Sequence, residues 1–126
     1  MQEEAMEDLV ADVFARACTS RPVLENVAGK WGILALAALS GDTYRFNALR
    51  RRVDGISEKM LAQTLQALER DGLVRRDVRA TIPPRVEYSL TEVGKRIAAK
   101  LLELIELVED AMPAVREAQS AYDGGR

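Results

Sequence analysis

The sequence of 126 residues predicts a mainly α-helical protein with one small β-hairpin, which is an α+β fold. Three observations support this prediction. A short helical pattern leads through a tight turn into a second, capped one, an arginine-flanked hairpin pattern follows directly, and a long amphipathic pattern occupies the C-terminal part. Because 48% of the residues are hydrophobic, the chain can bury one core but hardly two, and we expect a single domain over residues 1–126.

The pattern that begins at Ser57 predicts a helix with one buried and one exposed face. Ser57 is a favourable N-cap residue, and Leu61, Leu65 and Leu68 recur at steps of four and three residues, which places them on one stripe. Taken alone, the polar remainder of residues 57–71 is typical of a solvated helix surface. The side chains that we expect to contact base edges or phosphates, if this helix lies in a major groove of DNA, are Ser57, Lys59, Met60, Gln63, Thr64 and Gln66.

Two further patterns flank this helix and change its interpretation. Before it, the apolar residues from Phe46 to Val53 have helical spacing, and Asp54-Gly55 is typical of a turn. After it, β-branched, aromatic and polar residues alternate around Pro83-Pro84, which predicts two strands and a loop. Together the patterns predict a winged helix-turn-helix with a positioning helix over 46–53, a recognition helix over 57–71 and a wing over 73–90.

Charge is distributed unevenly along the chain, although the formal net charge is only -2. From Arg45 to Arg85 ten basic residues stand against five acidic ones, a local balance of +5, whereas residues 1–18 carry -4 and residues 91–126 carry -2. We therefore expect the basic segment to face the phosphates of double-stranded DNA and the acidic ends to face away from them. The arginines that we expect to contact DNA are Arg45, Arg50, Arg51, Arg79 and Arg85.

A structural alternative exists for these arginines. One arginine of the run Arg50 to Arg52 can simply pair with a neighbouring acid, because runs of charge usually form a solvated face. At the rim of the wing, an arginine can instead form a cross-strand pair with Asp77 or Glu87. The second class of function that fits this fold is accordingly a protein–protein interaction module that binds no DNA.

Five motifs follow one another along the chain: Gly29-Lys30-Trp31, Arg45-Phe46-Asn47-Ala48-Leu49, Gly55-Ile56-Ser57, Leu68-Glu69-Arg70-Asp71-Gly72-Leu73-Val74 and Pro83-Pro84-Arg85-Val86-Glu87-Tyr88-Ser89-Leu90-Thr91. In this order they resemble the HxlR-type family of bacterial transcriptional regulators, over roughly Cys18 to Gly94. The resemblance implies a dimeric winged helix-turn-helix DNA-binding protein of a family that often responds to oxidants, electrophiles or other small molecules. One position differs, because the family often has a proline directly after its N-terminal cysteine, whereas this chain reads Cys18-Thr19-Ser20-Arg21-Pro22.

Cys18 is the one cysteine of the sequence, so an intramolecular disulfide cannot form. At the end of the first helix, such a thiol is usually an inert packing residue. The family resemblance offers the alternative that Cys18 senses oxidants or electrophiles, with Arg16 and Arg21 near enough in sequence to lower its pKa. The Cys18 of a second subunit or a small thiol would then be the resolving partner.

Apolar stripes at both ends of the chain predict a homodimer. Residues 1–18 form an amphipathic N-terminal helix in this interpretation, and residues 91–121 a long C-terminal one, with Pro113 expected to bend or end it and residues 121–126 to fray. We expect both helices to pack against their copies and to set two recognition helices about 34 Å apart on a pseudo-palindromic operator. The apolar seam of the C-terminal helix consists of Ile97, Leu101, Leu104, Ile105, Val108, Met112 and Val115.

The composition also limits the chemistry that the chain can perform. It contains no histidine, a single cysteine and no glycine-rich phosphate loop, so we expect no catalytic site, no metal site and no cofactor. No apolar run is long enough to span a bilayer, and the acidic start is unlike a signal peptide. These features predict a cytoplasmic protein that is not an enzyme and makes no contact with membranes.

Overall fold

The computed structural model describes residues 12–125 and confirms the mainly α-helical fold with a small sheet. Five helices and three strands follow one another in this part of the chain. In order they are α1 (Ser20–Ala28), α2 (Lys30–Gly41), β1 (Tyr44–Arg45), α3 (Phe46–Arg52), α4 (Glu58–Arg70), β2 (Val74–Arg79), β3 (Arg85–Leu90) and α5 (Glu92–Gly124).

Helices α3 and α4 form the helix-turn-helix at the position that the sequence predicts. Ser57 caps α4, since its Oγ accepts a hydrogen bond of 3.1 Å from the backbone N–H of Met60. The leucine stripe of α4 is buried, as the spacing predicts. At the other end, Gly72 has a positive φ of 75°, which glycine adopts without steric cost, and the chain turns there from α4 into β2.

The sheet has three strands in the order β1-β3-β2, and each adjacent pair is antiparallel. Strands β2 and β3 form the predicted wing, in a register that pairs Arg79 with Arg85 at its outer end. Strand β1, which the sequence pattern does not predict, adds Tyr44 and Arg45 to the free side of β3. A strand of two residues is too short to show alternation, so only its pairing in the folded protein reveals it.

Helix α2 lies at the centre of the core and contacts α1, α3, α4, α5 and β3. Burial of a single leucine side chain contributes about 1.5–3 kcal/mol. The core around α2 therefore fixes how the helix-turn-helix, the wing and the start of α5 sit relative to one another. Its buried residues include Ala35, Leu36 and Leu39 of α2 together with Leu49, Leu61, Leu65, Leu68, Leu73, Leu90, Ala98 and Leu101.

Two expectations about the ends of the chain differ from the structure. Residues 1–11 of the expected N-terminal helix lie outside the described residues, and residues 12–18 form successive turns that leave Phe14 90% exposed. At the other end, α5 continues through Pro113 to Gly124, so most of the tail expected to fray is helical. Glu109, whose carbonyl group the proline leaves without an N–H partner, is exposed, so water can reach that carbonyl.

No single helix within residues 12–125 is long and apolar enough to cross a membrane. Helices α1 and α2 reach the length and apolar content of a membrane span only when taken together, and the chain bends by 72° between them.

The start of α5 packs directly against the backbone at the base of the wing. The Thr91 hydroxyl donates to the carbonyl oxygen of Gly72 at 2.6 Å and accepts from the N–H of Gly94 at 3.1 Å. A Cβ atom on Gly94 would lie only 2.0 Å from the carbonyl oxygen of Leu73. This close approach therefore requires glycine at position 94.

We expect Gly94→Ala to lower the free energy of unfolding by about 1–3 kcal/mol or more, because the added methyl group pushes α5 away from Leu73. Urea unfolding followed by circular dichroism measures the change. Gly41→Ala is the matched control, since nothing lies within 4 Å of a Cβ added at Gly41, and it should change stability by less than about 1 kcal/mol. Equal stability of the two variants would contradict the close packing of α5.

Candidate nucleic-acid interface

The outward face of α4 carries polar side chains along its whole length. Because the helix turns through about 100° per residue, the side opposite the buried leucines holds Lys59, Gln63, Gln66 and Arg70. All four side chains are exposed, and Ser57 is exposed at the N-terminal end of the same helix. Amide and ammonium groups on one exposed helix face can hydrogen-bond to base edges in a major groove.

Two other candidates lie on the flank of α4 rather than on this outward face. Met60 is 38% exposed and Thr64 is half-buried, and both line a groove that α4 forms with α1 and α2. The opposite flank of α4 faces the wing, where Gln66 lines a hollow together with Arg76 and Tyr88. The helix is therefore bordered by α1 and α2 on one side and by the wing on the other.

Arg50 connects the two helices of the helix-turn-helix. Its Nη1 lies 2.6 Å from Oε1 of Glu58 in the first turn of α4. One member of the arginine run thus does pair with a neighbouring acid, although the side chains are 43% and 69% exposed and such pairs contribute only about 0–1 kcal/mol. Arg51 and Arg52 are exposed and form no ion pair with any residue that the structure describes.

The wing arginines also have acidic neighbours, which is the structural alternative that the sequence left open. Nη2 of Arg79 lies 3.4 Å from Glu87 and 3.7 Å from Asp77, and Nη1 of Arg85 lies 3.9 Å from Glu87. Both guanidinium groups remain about half exposed. Exposed pairs at these distances are weak, so a phosphate could replace the carboxylate as the partner of either arginine.

A cleft of about 530 Å³ brings the arginines of the helix-turn-helix and the wing together. Arg45 and Arg51 line one wall, at the β1–α3 junction and along α3, and Arg85 lines the other wall with the wing tip. Strand β1 causes this arrangement, because Arg45 pairs with Glu87 in the sheet and holds the start of α3 beside the wing. Three of the five arginines expected from the sequence to bind phosphate therefore converge on one cleft.

Sequence reasoning missed two exposed cations on the wing. Arg75 and Arg76 lie on β2, and Arg76 lines the hollow beside the exposed edge of α4. Adjacent residues of a strand point to opposite faces of the sheet, so only one of two consecutive arginines can face α4. Every second residue of a strand lies on the same face, so Arg76 shares the face of buried Val74, and this alternation could have identified it from the sequence.

Cys18 lies in the turn before α1 and is 2% exposed. Its Sγ is 3.1 Å from Oγ of Ser20. This hydrogen bond, with smaller contributions from the backbone N–H groups of Ser20 and Arg21, lowers the pKa of the thiol, while burial and the charge of Asp12 act in the opposite direction. At a given pH, a larger fraction of this thiol is therefore in the thiolate form than in an ordinary cysteine.

The source of this effect differs from the sequence-based expectation. Charges on Arg16 and Arg21 were expected to lower the pKa of Cys18, whereas the causes among the described residues are hydrogen bonds. The guanidinium of Arg21 instead lies 3.4 Å from Glu25 and donates to the carbonyl oxygen of Phe14 at 3.3 Å.

A polar contact links α1 to the end of α4. The side-chain amide of Asn26 donates a hydrogen bond of 3.0 Å to Oδ2 of Asp71, the C-cap residue of α4. Asn26 lies six residues after Ser20 on the same nine-residue helix, so one helix connects the surroundings of Cys18 with the recognition helix.

These features define a winged helix-turn-helix protein, with a capped helix presenting a polar face, a positioning helix before it and an arginine-flanked hairpin after it. The chain belongs to the HxlR-like helix-turn-helix family, whose sequence profile matches residues 26–116. The resemblance of the five motifs is thereby confirmed, and the protein is a DNA-binding transcriptional regulator of the helix-turn-helix type.

Individual proteins of known sequence or structure are similar over most of the chain. YtfH of Escherichia coli K12, named an uncharacterized HTH-type transcriptional regulator, is 47% identical over 113 residues, which cover 87% of this chain and 90% of YtfH. The solved structure of the regulator ytfH from Salmonella typhimurium has a TM-score of 0.79 at 47% identity and covers 85% of this chain and 96% of its own. The redox regulator HypR in its reduced form has a TM-score of 0.70 at 35% identity and covers 75% of this chain and 94% of its own.

Proposed function

We propose that this regulator binds a pseudo-palindromic operator as a homodimer, with one α4 helix of each subunit in the major groove. The observation that carries the proposal is the outward polar face of α4, together with a cleft of three arginines between α3 and the wing. In this arrangement Lys59 and Gln63 contact base edges, since lysine suits the acceptors of guanine and glutamine suits adenine. Ser57, Met60, Thr64 and Gln66 complete the helix surface that faces DNA.

The arginine cleft supplies the sequence-independent part of binding. Arg45, Arg51 and Arg85 bind phosphates of the strand that passes between α3 and the wing, and Arg79 exchanges its weak carboxylate contacts for phosphate or for a narrow minor groove. Arg50 stays paired with Glu58 and holds the first turn of α4 in place. Each phosphate neutralised in this way makes binding more sensitive to salt.

The apolar surface of α5 supports the homodimer. Leu101 is buried in the core, but the helix then extends beyond it with apolar side chains that the described residues leave open to solvent. Such a stripe on a helix of 33 residues fits packing against the same helix of a second subunit. The exposed apolar residues on this side of α5 are Leu104, Leu107, Val108, Val115 and Tyr122.

Cys18 is the group that we propose to make DNA binding responsive to oxidants, and the similarity to the redox regulator HypR supports this role. A peroxide oxidises the thiolate to a sulfenic acid and is itself reduced to hydroxide or water. A second thiol, from the other subunit's Cys18 or from a small molecule, then displaces water and forms a disulfide. The competing interpretation is an inert thiol that packs against its neighbours, consistent with its 2% exposure.

We propose no catalytic activity, because the sequence has no histidine, a single cysteine and no glycine-rich phosphate loop. Among the residues that the structure describes, no cluster of three potential metal ligands occurs either. Binding to DNA is consistent with the cytoplasmic localisation expected from the sequence.

Base-reading and phosphate-binding residues should respond differently to substitution. We expect Gln63→Ala to change the preferred base at one position of each half-site, at a cost of about 1–3 kcal/mol for the original sequence. Arg51→Ala should weaken binding to all sequences alike and make the slope of log affinity against log salt shallower by about 0.9 per subunit. Selection from a randomised duplex library and salt titration measure the two effects, with Arg116→Ala on α5 as control. An unchanged specificity profile in Gln63→Ala would remove Gln63 from the base-reading residues.

The dimer should depend on the apolar side of α5. We expect Val108→Glu, which introduces a charge at a 49% exposed position, to leave the fold intact but shift the protein from dimer to monomer. Ala99→Glu is the control, because Ala99 is exposed on the other side of the same helix. Sedimentation equilibrium at micromolar concentration measures the association. A wild-type protein that is monomeric there would refute the proposed dimer.

The response to oxidants should require the Cys18 thiol and depend on Ser20. Diamide or peroxide should alter operator affinity of the wild type and have no such effect on Cys18→Ser. Ser20→Ala should raise the thiol pKa, because it removes the largest stabilising hydrogen bond, so at neutral pH the thiolate fraction and the oxidation rate should both fall. Thr19→Ala is the neighbouring control. Identical behaviour of the wild type and Cys18→Ser with and without oxidant would establish Cys18 as a packing residue.

A further inference from the structure

A groove of about 460 Å³ borders α4 on the side away from the wing. Met60, Thr64 and Ala67 form one wall, and the junction of α1 and α2 forms the other, with Lys30 and Trp31 at its edge. The residues of α4 that face the wing hollow instead, such as Ala62 and Glu69, lie on the opposite flank of the helix. The groove and the wing therefore border the outward face of α4 from two sides.

We propose that this groove receives the second DNA backbone and that Lys30 binds one of its phosphates. An α-helix with its side chains is about 10–12 Å across and a major groove is about 12 Å wide, so a helix lying in that groove has one backbone along each flank. The wing and the arginine cleft contact one of the two DNA backbones. The inference rests on the proposed function and adds a cation for the other backbone, since none of the basic residues expected from the sequence to contact DNA lines this groove.

Lys30 has the properties that a phosphate contact requires. It is exposed, it forms no ion pair with any described residue, and its Nζ lies 4.6 Å from the centre of the Trp31 ring. Trp31 packs against the hydrophobic core and reaches the turn of the helix-turn-helix, where its Cη2 is 4.0 Å from the position of a Cβ at Gly55. The ammonium group is thus held over a ring of fixed position and needs little ordering when DNA binds.

The other polar groups that line the groove exert little electrostatic repulsion on an anionic DNA backbone. Glu25 is the one carboxylate among the lining residues, and Arg21 lies 3.4 Å from it. The Asn26 amide is held by Asp71, while the hydroxyl group of Thr64 can donate a hydrogen bond to a phosphate. A cation and a neutral donor around a partly neutralised acid form a surface that suits a phosphodiester.

Salt dependence of operator binding tests the charge of Lys30. Lys30→Gln should bind all sequences more weakly, with an unchanged sequence preference, and its slope of log affinity against log salt should be shallower by about 0.9 per subunit, or about 1.8 for a dimer. Lys30→Arg should retain the wild-type slope. Lys100→Gln is the matched control, since Lys100 is an exposed lysine on α5 that lies 3.6 Å from Glu103. A slope for Lys30→Gln equal to that of the control would overturn the proposal.

Neutral methylphosphonate linkages locate the contact on DNA. One linkage in each half-site, on the backbone opposite the one sensitive to Arg51→Ala, should weaken wild-type binding and leave Lys30→Gln binding unchanged. Equal loss in both proteins at every linkage would contradict the assignment. If the wild type shows no saturable DNA binding, the proposed function itself fails, whereas wild-type binding that Lys30→Gln reproduces in full refutes only the role of Lys30.

Discussion

The burial of one leucine stripe sets the rotation of the recognition helix, and the rest of the interface depends on that rotation. Leu61, Leu65 and Leu68 are each at most 2% exposed. Turning α4 by one residue, about 100°, would bring at least one leucine into water and, in one direction, move Glu69 toward the core, which costs several kcal/mol. The hydrophobic core thus determines which side chains α4 presents, although none of the buried residues can contact DNA.

Local patterns were sufficient to predict the parts of the fold that local interactions create. The cap at Ser57, the leucine spacing and the end of α4 depend on residues within one or two turns of each other, and each lies where the sequence predicts it. The wing was predictable for the same reason, since its two strands are adjacent in the chain. The long helix α5 was predicted from its apolar steps, and it passes Pro113, which lies at an exposed position, and ends three residues beyond the expected end at residue 121.

The candidate site was harder to predict, because its geometry depends on contacts between distant residues. Nothing in the two residues Tyr44 and Arg45 indicates a strand, yet their pairing with β3 creates the arginine cleft. Glu87 lies within 4 Å of both wing arginines, a relation that only the register of β2 and β3 specifies. The surroundings of Cys18 could not be inferred from charge spacing, since the hydrogen bond between Cys18 and Ser20 requires a turn that the sequence did not predict.

The hydrogen bond between Asn26 and Asp71 gives α1 a mechanical role that its position outside the helix-turn-helix would not suggest. Helix α1 begins at Ser20, beside the thiol, and holds the C-cap of α4 through Asn26. A helix of nine residues is short and stiff compared with the loops around it. Any tilt of α1 must therefore either break this contact or carry the far end of α4 with it, and a displacement of about 1 Å is comparable to the tolerance of a hydrogen bond to a base edge.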